Sequence, residues 1–250
     1  MHRRLPEKSP VFGRFLTMIK KRLAYKDSIL NVSCDENVFP GLYKHLVKER
    51  SKIEQHIAKN PFFATTLGPV PMEKNMPEIV KTMVVASKNA KVGPMAAVAG
   101  TIAESVAKKA VDLGAKNVMV ENGGDICLYG EREYIVGIHA GESKLSDKFA
   151  FEVNPGKEFL GICTSSGSVG HSISFGQSDS VTVVAESAPI ADAAATAIAN
   201  DVIGERINYS VKRATFLSQR IKNLRGVLII RDDKVGSLGI LPKIIEIKNE

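Results

Sequence analysis

Two long segments rich in alanine and other small or aliphatic residues restrict the fold of this 250-residue chain more than any other feature. The first runs from Val92 to Gly114 and the second from Ile190 to Ile203. Helices of this composition belong in a protein interior, because their short side chains let other backbones approach closely. Pro94 stands where a helix can begin and Gly114 where one can end. We therefore predict two interior helices around which the other elements pack.

The remaining pattern predicts clustered strands and amphipathic helices, not a regular alternation of the two. Strands are expected at 22–32 (paired around Lys26–Asp27), 117–120, 126–129, 131–140, once or twice within 146–163, and at 226–240, turning at Asp232–Asp233. Helices are expected at 39–59, 77–88 and 206–222, with a loop at 66–75. Strands grouped in this way favour an α+β fold with a mainly antiparallel sheet and helices on one side.

Charge and hydropathy exclude several classes of protein. The net charge is +7, with much of the excess near the ends, but no nucleic-acid module or aromatic ladder accompanies it. We expect a solvated basic surface and no nucleic-acid partner. No run of about 18 apolar residues and no apolar signal region is present, so we expect no membrane association and a cytoplasmic location.

Cysteine usage and end composition complete the expected organisation. Three cysteines without a CxxC spacing argue against a disulfide framework and against a structural zinc site. Residues 1–12 are polar and contain two prolines, which predicts a loosely held tail, followed by one domain over 13–250.

The first segment with chemical potential is Glu121-Asn122-Gly123-Gly124-Asp125. Two glycines between strands allow positive φ angles and leave room for a ligand against the main chain. Exposed amides there could accept a phosphate, and Asp125 could orient a ribose hydroxyl or an adenine amine. The alternative is an ordinary hairpin turn, since Gly-Gly is common turn chemistry.

A second segment combines hydroxyls and glycines directly after an apolar strand. It reads Thr164-Ser165-Ser166-Gly167-Ser168-Val169-Gly170-His171. Loops rich in donors suit phosphate binding, and His171 is the histidine best placed to accept a proton near neutral pH. A plain surface loop with an exposed histidine is the alternative.

The third segment places polar groups on one face of the second interior helix. Asp192, Thr196 and Asn200 are spaced i, i+4 and i+8 among small residues. A carboxylate inside such a helix is costly unless it is paired or holds a cation, so Asp192 and Thr196 suggest oxygen ligands for Mg²⁺. Asp192 could instead cap the helix after Pro189, which would leave Thr196 unexplained.

Taken together, four stretches resemble the ApbE family of FAD:protein FMN transferases. They are VENGGDI at 120–126, TSSG at 164–167, His171, and SVTVVAESAPIADAAATAIANDVIG at 180–204. The resemblance is closer still to a compact branch associated with archaea and anaerobic bacteria. It implies two interleaved T-fold-type halves, with mainly antiparallel sheets packed on a central helical layer. It also implies Mg²⁺-dependent transfer of FMN from FAD to a hydroxyl of an acceptor protein.

The resemblance further implies a role for each matching residue. Asp192 and Thr196 would bind the metal, and His171 would be the base that activates the acceptor hydroxyl. Segment 121–125 would contact the adenosine part of FAD, and Thr164, Ser165, Ser166 and Gly167 would line the flavin or phosphate path. The family's Lys-Gly pair reads Ala99-Gly100 here, so a cationic phosphate contact is absent from this chain.

Two functions remain open at this point. One is an ApbE-like transferase acting on FAD or a related cofactor. The other is a binding protein for a flavin, pterin or nucleotide that kept the pocket and lost transfer, which the alanine at position 99 favours. A homo-oligomer is compatible with either.

Overall fold

The computed structural model describes residues 18–166 and 176–247. The predicted tail 1–12, together with Gly167 and His171, lies outside these ranges. The helices are α1 (Phe39–Lys59), α2 (Phe62–Thr65), α3 (Glu78–Ala90), α4 (Val98–Asp112, preceded by a 3₁₀ turn at Pro94–Ala97), α5 (Ala188–Asp201) and α6 (Ile207–Ser218). The strands are β1 (Ile19–Tyr25), β2 (Ser28–Cys34), β3 (Val118–Asn122), β4 (Asp125–Gly130), β5 (Tyr134–Gly137), β6 (Phe149–Val153), β7 (Gly156–Ser165), β8 (Ser180–Ala185), β9 (Leu224–Arg231), β10 (Lys234–Gly239) and β11 (Lys243–Glu246).

Eight of these strands form one antiparallel sheet in the order β1-β2-β3-β4-β7-β8-β9-β10. The larger apolar core lies between one face of this sheet and the helices, and includes Val120, Val183 and Ile198. A second core lies on the opposite face beside a small sheet, β11-β6-β5, and includes Phe151, Ile162 and Leu228. The α+β class with mainly antiparallel sheets packed on helices is therefore confirmed.

Most elements appear where the sequence pattern predicts them. The first hairpin turns at Lys26–Asp27, where Lys26 has a φ of 53°, and α1 spans 39–59 as expected. The small sheet is the main feature that the pattern did not predict. Its strand β11 pairs with β6 from about ninety residues away in the chain, with Lys243 opposite Glu152. Local periodicity carries no information about such a pairing.

The two interior helices pack closely at Ala188, the first residue of α5. A Cβ placed on Gly100 of α4 would lie 2.4 Å from the Ala188 carbonyl oxygen. On the sheet side, a Cβ on Gly161 of β7 would lie 2.4 Å from the Ala188 Cα. The start of α5 is thus held between α4 and β7 at distances that only glycine permits.

None of the helices in the described ranges combines the length and the apolar character needed to cross a membrane.

Candidate active site

The β3–β4 hairpin brings the first predicted segment toward α4. Gly123 and Gly124 form its two-residue turn with φ values of 67° and 102°, a conformation that favours glycine at both positions. The Asn122 side-chain amide donates a hydrogen bond of 3.2 Å to the Ala99 carbonyl oxygen. The segment is therefore a hairpin turn, which was the alternative interpretation of the sequence. The hydrogen bond to Ala99 also fixes this turn to α4, the helix that contacts α5.

Asp125 follows the turn and is 9% exposed. It is paired in register with Cys163 of β7, and its carboxylate accepts hydrogen bonds from the Cys163 thiol and the Thr164 backbone N–H. Burial outweighs these bonds and raises the pKa of Asp125 to about 7. This carboxyl group is therefore partly protonated at neutral pH when no cation is nearby.

Asp192 lies inside α5 and does not cap it. The N-cap residue is Ser187, so the capping interpretation of Asp192 is wrong. The Asp192 Oδ2 atom accepts a hydrogen bond of 2.8 Å from the Gly100 backbone N–H, which ties α5 to α4. Burial, together with the negative charge of Asp125, raises the pKa of Asp192 well above its usual range.

These two carboxyl groups come from residues 67 positions apart, and the fold brings them close enough for their charges to interact. The ion pairs formed within the described ranges all involve other side chains. Nor do the described His, Cys, Asp and Glu residues form a metal-type group of three or more. Within the described ranges the arrangement is thus a buried acidic pair without a cationic partner, bonded to backbone N–H groups and to the Cys163 thiol.

The hydroxyl residues divide between the two faces of the sheet. Thr164 Oγ1 lies 3.0 Å from Thr182 Oγ1, on the face of the small sheet. Ser165 shares the helix face with Cys163 by strand alternation, and Thr196, 8% exposed, lies one helical turn beyond Asp192. Thr164 thus reaches Asp125 through its backbone alone, whereas Ser165 and Thr196 lie on the side of the acidic pair.

Glu121 is not brought to the pair. Its carboxylate accepts a hydrogen bond of 3.1 Å from the Asn31 side chain at an exposed position. Ser166 ends the first described range, and Gly176 opens the second beside the Ala199 carbonyl group of α5. The predicted roles of Gly167 and His171 concern residues outside the described ranges.

The sequence analysis did not single out Glu104 as a candidate site residue. Glu104 is 6% exposed, and its Oε2 atom accepts a hydrogen bond of 2.7 Å from the Ala188 backbone N–H. Its Oε1 atom lies 2.6 Å from Lys108 Nζ. The carboxylate therefore satisfies an otherwise unpaired N–H at the start of α5. A charged residue within a stretch of small ones was the available signal.

Replacing Glu104 by alanine should leave that N–H buried without a partner. We expect Glu104→Ala to lower the free energy of unfolding by about 1–3 kcal/mol, measured by urea denaturation. Lys108→Ala is the matched control, because the Lys108 side chain is 55% exposed and a surface ion pair contributes about 1 kcal/mol or less. Equal losses in the two variants would contradict a capping role.

Two surface cavities lie away from the acidic pair. One, of about 610 Å³, runs between α3 and the start of α5, with Met72, Val85 and Ile190 in its wall. The other, of about 350 Å³, lies between α6 and β10. Neither is lined by Asp125 or Asp192, so the candidate site rests on the buried groups and not on cavity size.

The fold defined by this arrangement matches that of solved flavin transferases. A structure titled flavin transferase ApbE from Vibrio cholerae superposes with a TM-score of 0.59 at 15% identity, covering 89% of this chain and 96% of that one. The apo flavinyl transferase ApbE of Pseudomonas stutzeri superposes with a TM-score of 0.58 at 13% identity, covering 89% and 94%. At these identities the likeness concerns the fold.

Sequence relatives and a family model give the narrower assignment. A UPF0280 protein of Methanocaldococcus jannaschii is 43% identical over 230 residues, covering 91% of this chain and 93% of the relative. A UPF0280 protein of Methanobrevibacter smithii is 44% identical over 208 residues, covering 82% and 87%. The family model described as AbpE bacteria matches residues 18–220, and the chain belongs to this family.

Proposed function

We propose that this protein is an ApbE-type transferase that moves FMN from FAD to a hydroxyl of an acceptor protein with the help of Mg²⁺. One observation carries the proposal. Asp125 and Asp192 are both buried, the negative charge of Asp125 acts on Asp192, and neither has a cationic partner within the described ranges. The names of the solved flavin transferases that share the fold support the same reaction class.

The donor set suits Mg²⁺, which prefers oxygen ligands and keeps several waters. Asp192 and Thr196 would hold the ion, one carboxylate and one hydroxyl a single helical turn apart on α5. Two buried negative groups without a protein cation are costly, so a divalent ion near them would lower the free energy of the folded state. When bound, the ion would neutralise phosphate charge during the displacement.

The chain's own residues would orient the reacting groups. The acceptor hydroxyl oxygen attacks the FMN phosphorus of FAD, a phosphoester bond forms, the pyrophosphate P–O bond breaks, and AMP leaves. In the proposal His171 takes the hydroxyl proton. The Gly123–Gly124 turn and Asp125 would contact the adenosine side, and the segment from Thr164 to Gly167 would border the flavin or the phosphates.

AMP release tests this function directly. We expect the purified protein to release AMP from FAD when Mg²⁺ and a candidate acceptor protein are both present, and the acceptor to gain the mass of FMN. Asp192→Ala should lower the rate at least about 100-fold, since it removes a charged group from the transition state. The exposed Asp112→Asn on α4 is the control. Absence of AMP with every acceptor and divalent ion would count against the transferase.

A binding protein without transfer is the second candidate, and one observation favours it. Position 99, where the family has lysine, is an alanine whose carbonyl accepts the Asn122 amide, so no side chain there supplies a positive charge. This candidate requires tight binding of a flavin, pterin or nucleotide without turnover. Binding would then be unchanged in His171→Ala, whereas the transferase would lose AMP release in the same variant.

A further inference from the structure

The hydroxyl group of Ser165 is buried and has no hydrogen-bond partner in the part of the chain that the structure describes. The residue is 5% exposed. A buried hydroxyl without a partner costs about 1–3 kcal/mol, so folded proteins rarely keep one unless a ligand or water satisfies it. Ser165 therefore calls for a partner other than the protein groups of the described ranges.

The position of Ser165 follows from how β7 runs beside α5. Gly161 of β7 faces Ala188, and the Cys163 Sγ atom lies 3.4 Å from the Ala188 carbonyl oxygen. Cys163 also senses the charges of Asp125 and Asp192. The strand β7 therefore stays in contact with the start of α5 from Gly161 to Cys163.

The next step along the contact reaches Ser165. Two strand residues advance about 6.6 Å, and four helix residues advance about 6 Å. Strand alternation puts Ser165 on the helix face, as it does Cys163. One step beyond Cys163, Ser165 is thus level with the turn of α5 that carries Asp192 and Thr196.

Thr196 supplies a second hydroxyl, one helical turn after Asp192 on α5. Thr196 is 8% exposed, and no hydrogen bond of its side chain is found within the described ranges. Ser165, Thr196 and Asp192 thus offer two hydroxyl groups and a carboxylate from one strand and one helix. Hydroxyl and carboxylate oxygens are ligands that Mg²⁺ and Mn²⁺ accept.

We infer that Ser165 is a third oxygen ligand of the divalent cation, contributed by the sheet. The inference rests on the proposed function and deepens it, because it assigns a ligand on the sheet in addition to the two on the helix. With a ligand on β7, the bound ion links the sheet to α5. It would also give the buried Ser165 hydroxyl a partner, which an alanine at this position would not need.

Mn²⁺ binding to the purified protein, followed by electron paramagnetic resonance and calorimetry without FAD, tests the inference. Ser165→Ala should weaken Mn²⁺ binding at least about tenfold. Ser178→Ala is the matched control, because Ser178 is 1% exposed and no hydrogen-bond partner for its hydroxyl is found among the described residues. Ser178 lies away from the Asp192 turn, since the backbone N–H of its neighbour Gln177 donates to Val202, beyond the end of α5. The Mn²⁺ affinity of that control should stay within twofold of the wild type. In EDTA the free energy of unfolding of both variants should be no lower than that of the wild type.

A change of metal preference gives a second readout that loss of folding cannot imitate. Ser165→Cys offers sulfur in place of oxygen, so its binding should shift from Mn²⁺ toward the thiol-binding ion Cd²⁺. Ser178→Cys should show no such shift, and the three native cysteines are the same in both variants.

Asp192→Asn distinguishes the proposed cation site on α5 from the proposed role of Ser165. If it loses Mn²⁺ binding while Ser165→Ala stays within twofold of the wild type, the role of Ser165 is wrong and the cation site on α5 stands. If Asp192→Asn binds Mn²⁺ as the wild type does, the cation site and the role of Ser165 both fail.

Discussion

Asp192→Asn is expected to have opposite effects on stability with and without a divalent cation. In EDTA at pH 8 the variant should be more stable than the wild type by about 1–3 kcal/mol, because it removes a buried carboxyl group whose charged form is disfavoured by burial and by Asp125. The Gly100 N–H can still donate to the amide oxygen of asparagine. With Mg²⁺ at 100 times its Kd, the wild type should gain about 2.7 kcal/mol and the variant almost none. Urea denaturation with and without Mg²⁺ measures both effects.

The pH dependence of the free energy of unfolding gives a second test of the buried acidic pair. Asp125 has a pKa of about 7 when folded and 3.8 as an ordinary side chain, so the folded state holds a proton that the unfolded state has lost over this interval. Stability from this group is fully present below pH 3.8 and is lost as the pH rises through about 7. The raised pKa of Asp192 acts in the same direction.

Metal-free protein should therefore lose stability between pH 5 and pH 8, and Asp125→Asn should flatten that loss. Mg²⁺ should restore more stability at the higher pH, since protons compete with the ion for the same oxygens. The exposed Asp112→Asn is the control and should follow the wild type within about 0.5 kcal/mol. A wild-type protein whose stability rises from pH 5 to pH 8 in EDTA would show that the two carboxyl groups are not held as described.

Gly161→Ala is expected to lower the free energy of unfolding by about 3 kcal/mol or more, because overpacking against a backbone cannot be relieved by side-chain rotation. The added Cβ would lie 2.4 Å from Ala188 Cα and 2.6 Å from its nitrogen. Gly100→Ala should behave alike, since its Cβ would meet the Ala188 carbonyl oxygen at 2.4 Å. Both substitutions push α5 away from the elements that hold Asp192 in place.

Gly137→Ala is the matched control for these variants. Gly137 also lies in a strand, β5, but a Cβ there would meet no atom within 4 Å. Its alanine variant should remain within about 1 kcal/mol of the wild type in urea denaturation. A loss below 1 kcal/mol for Gly161→Ala would mean that α5 moves aside easily, and the close contact at Ala188 would then have little energetic weight.

Much of the secondary structure follows from local pattern. The helix over 39–59, the hairpins at Lys26–Asp27 and Asp232–Asp233, and both interior helices depend on periodicity and turn residues within a few positions. The candidate site on α5 was recognisable because Asp192 is a charged residue among alanines, which short-range reasoning can detect. These features require no knowledge of which distant segments meet.

Which of those elements contact one another could be learned only from the tertiary structure. Glu104 caps a helix 84 residues away, and Gly100 binds Asp192 across 92 positions. The pairing of β11 with β6 is equally distant in the chain. No local pattern encodes such contacts, since each depends on the register of strands and on the two glycines that let α5 approach.

Spacing and composition by themselves established an α+β chain with two interior helices and placed the acid and the hydroxyl of α5 one turn apart, because helical and strand periods are properties of neighbouring residues. Only the tertiary structure decided that Asp125 joins Asp192 in a buried acidic pair, that the Ser165 hydroxyl is buried without a partner among the described residues, and that Glu121 points elsewhere. The reason is physical: burial and like charge act through space, and they arise when the sheet and helices close around the start of α5.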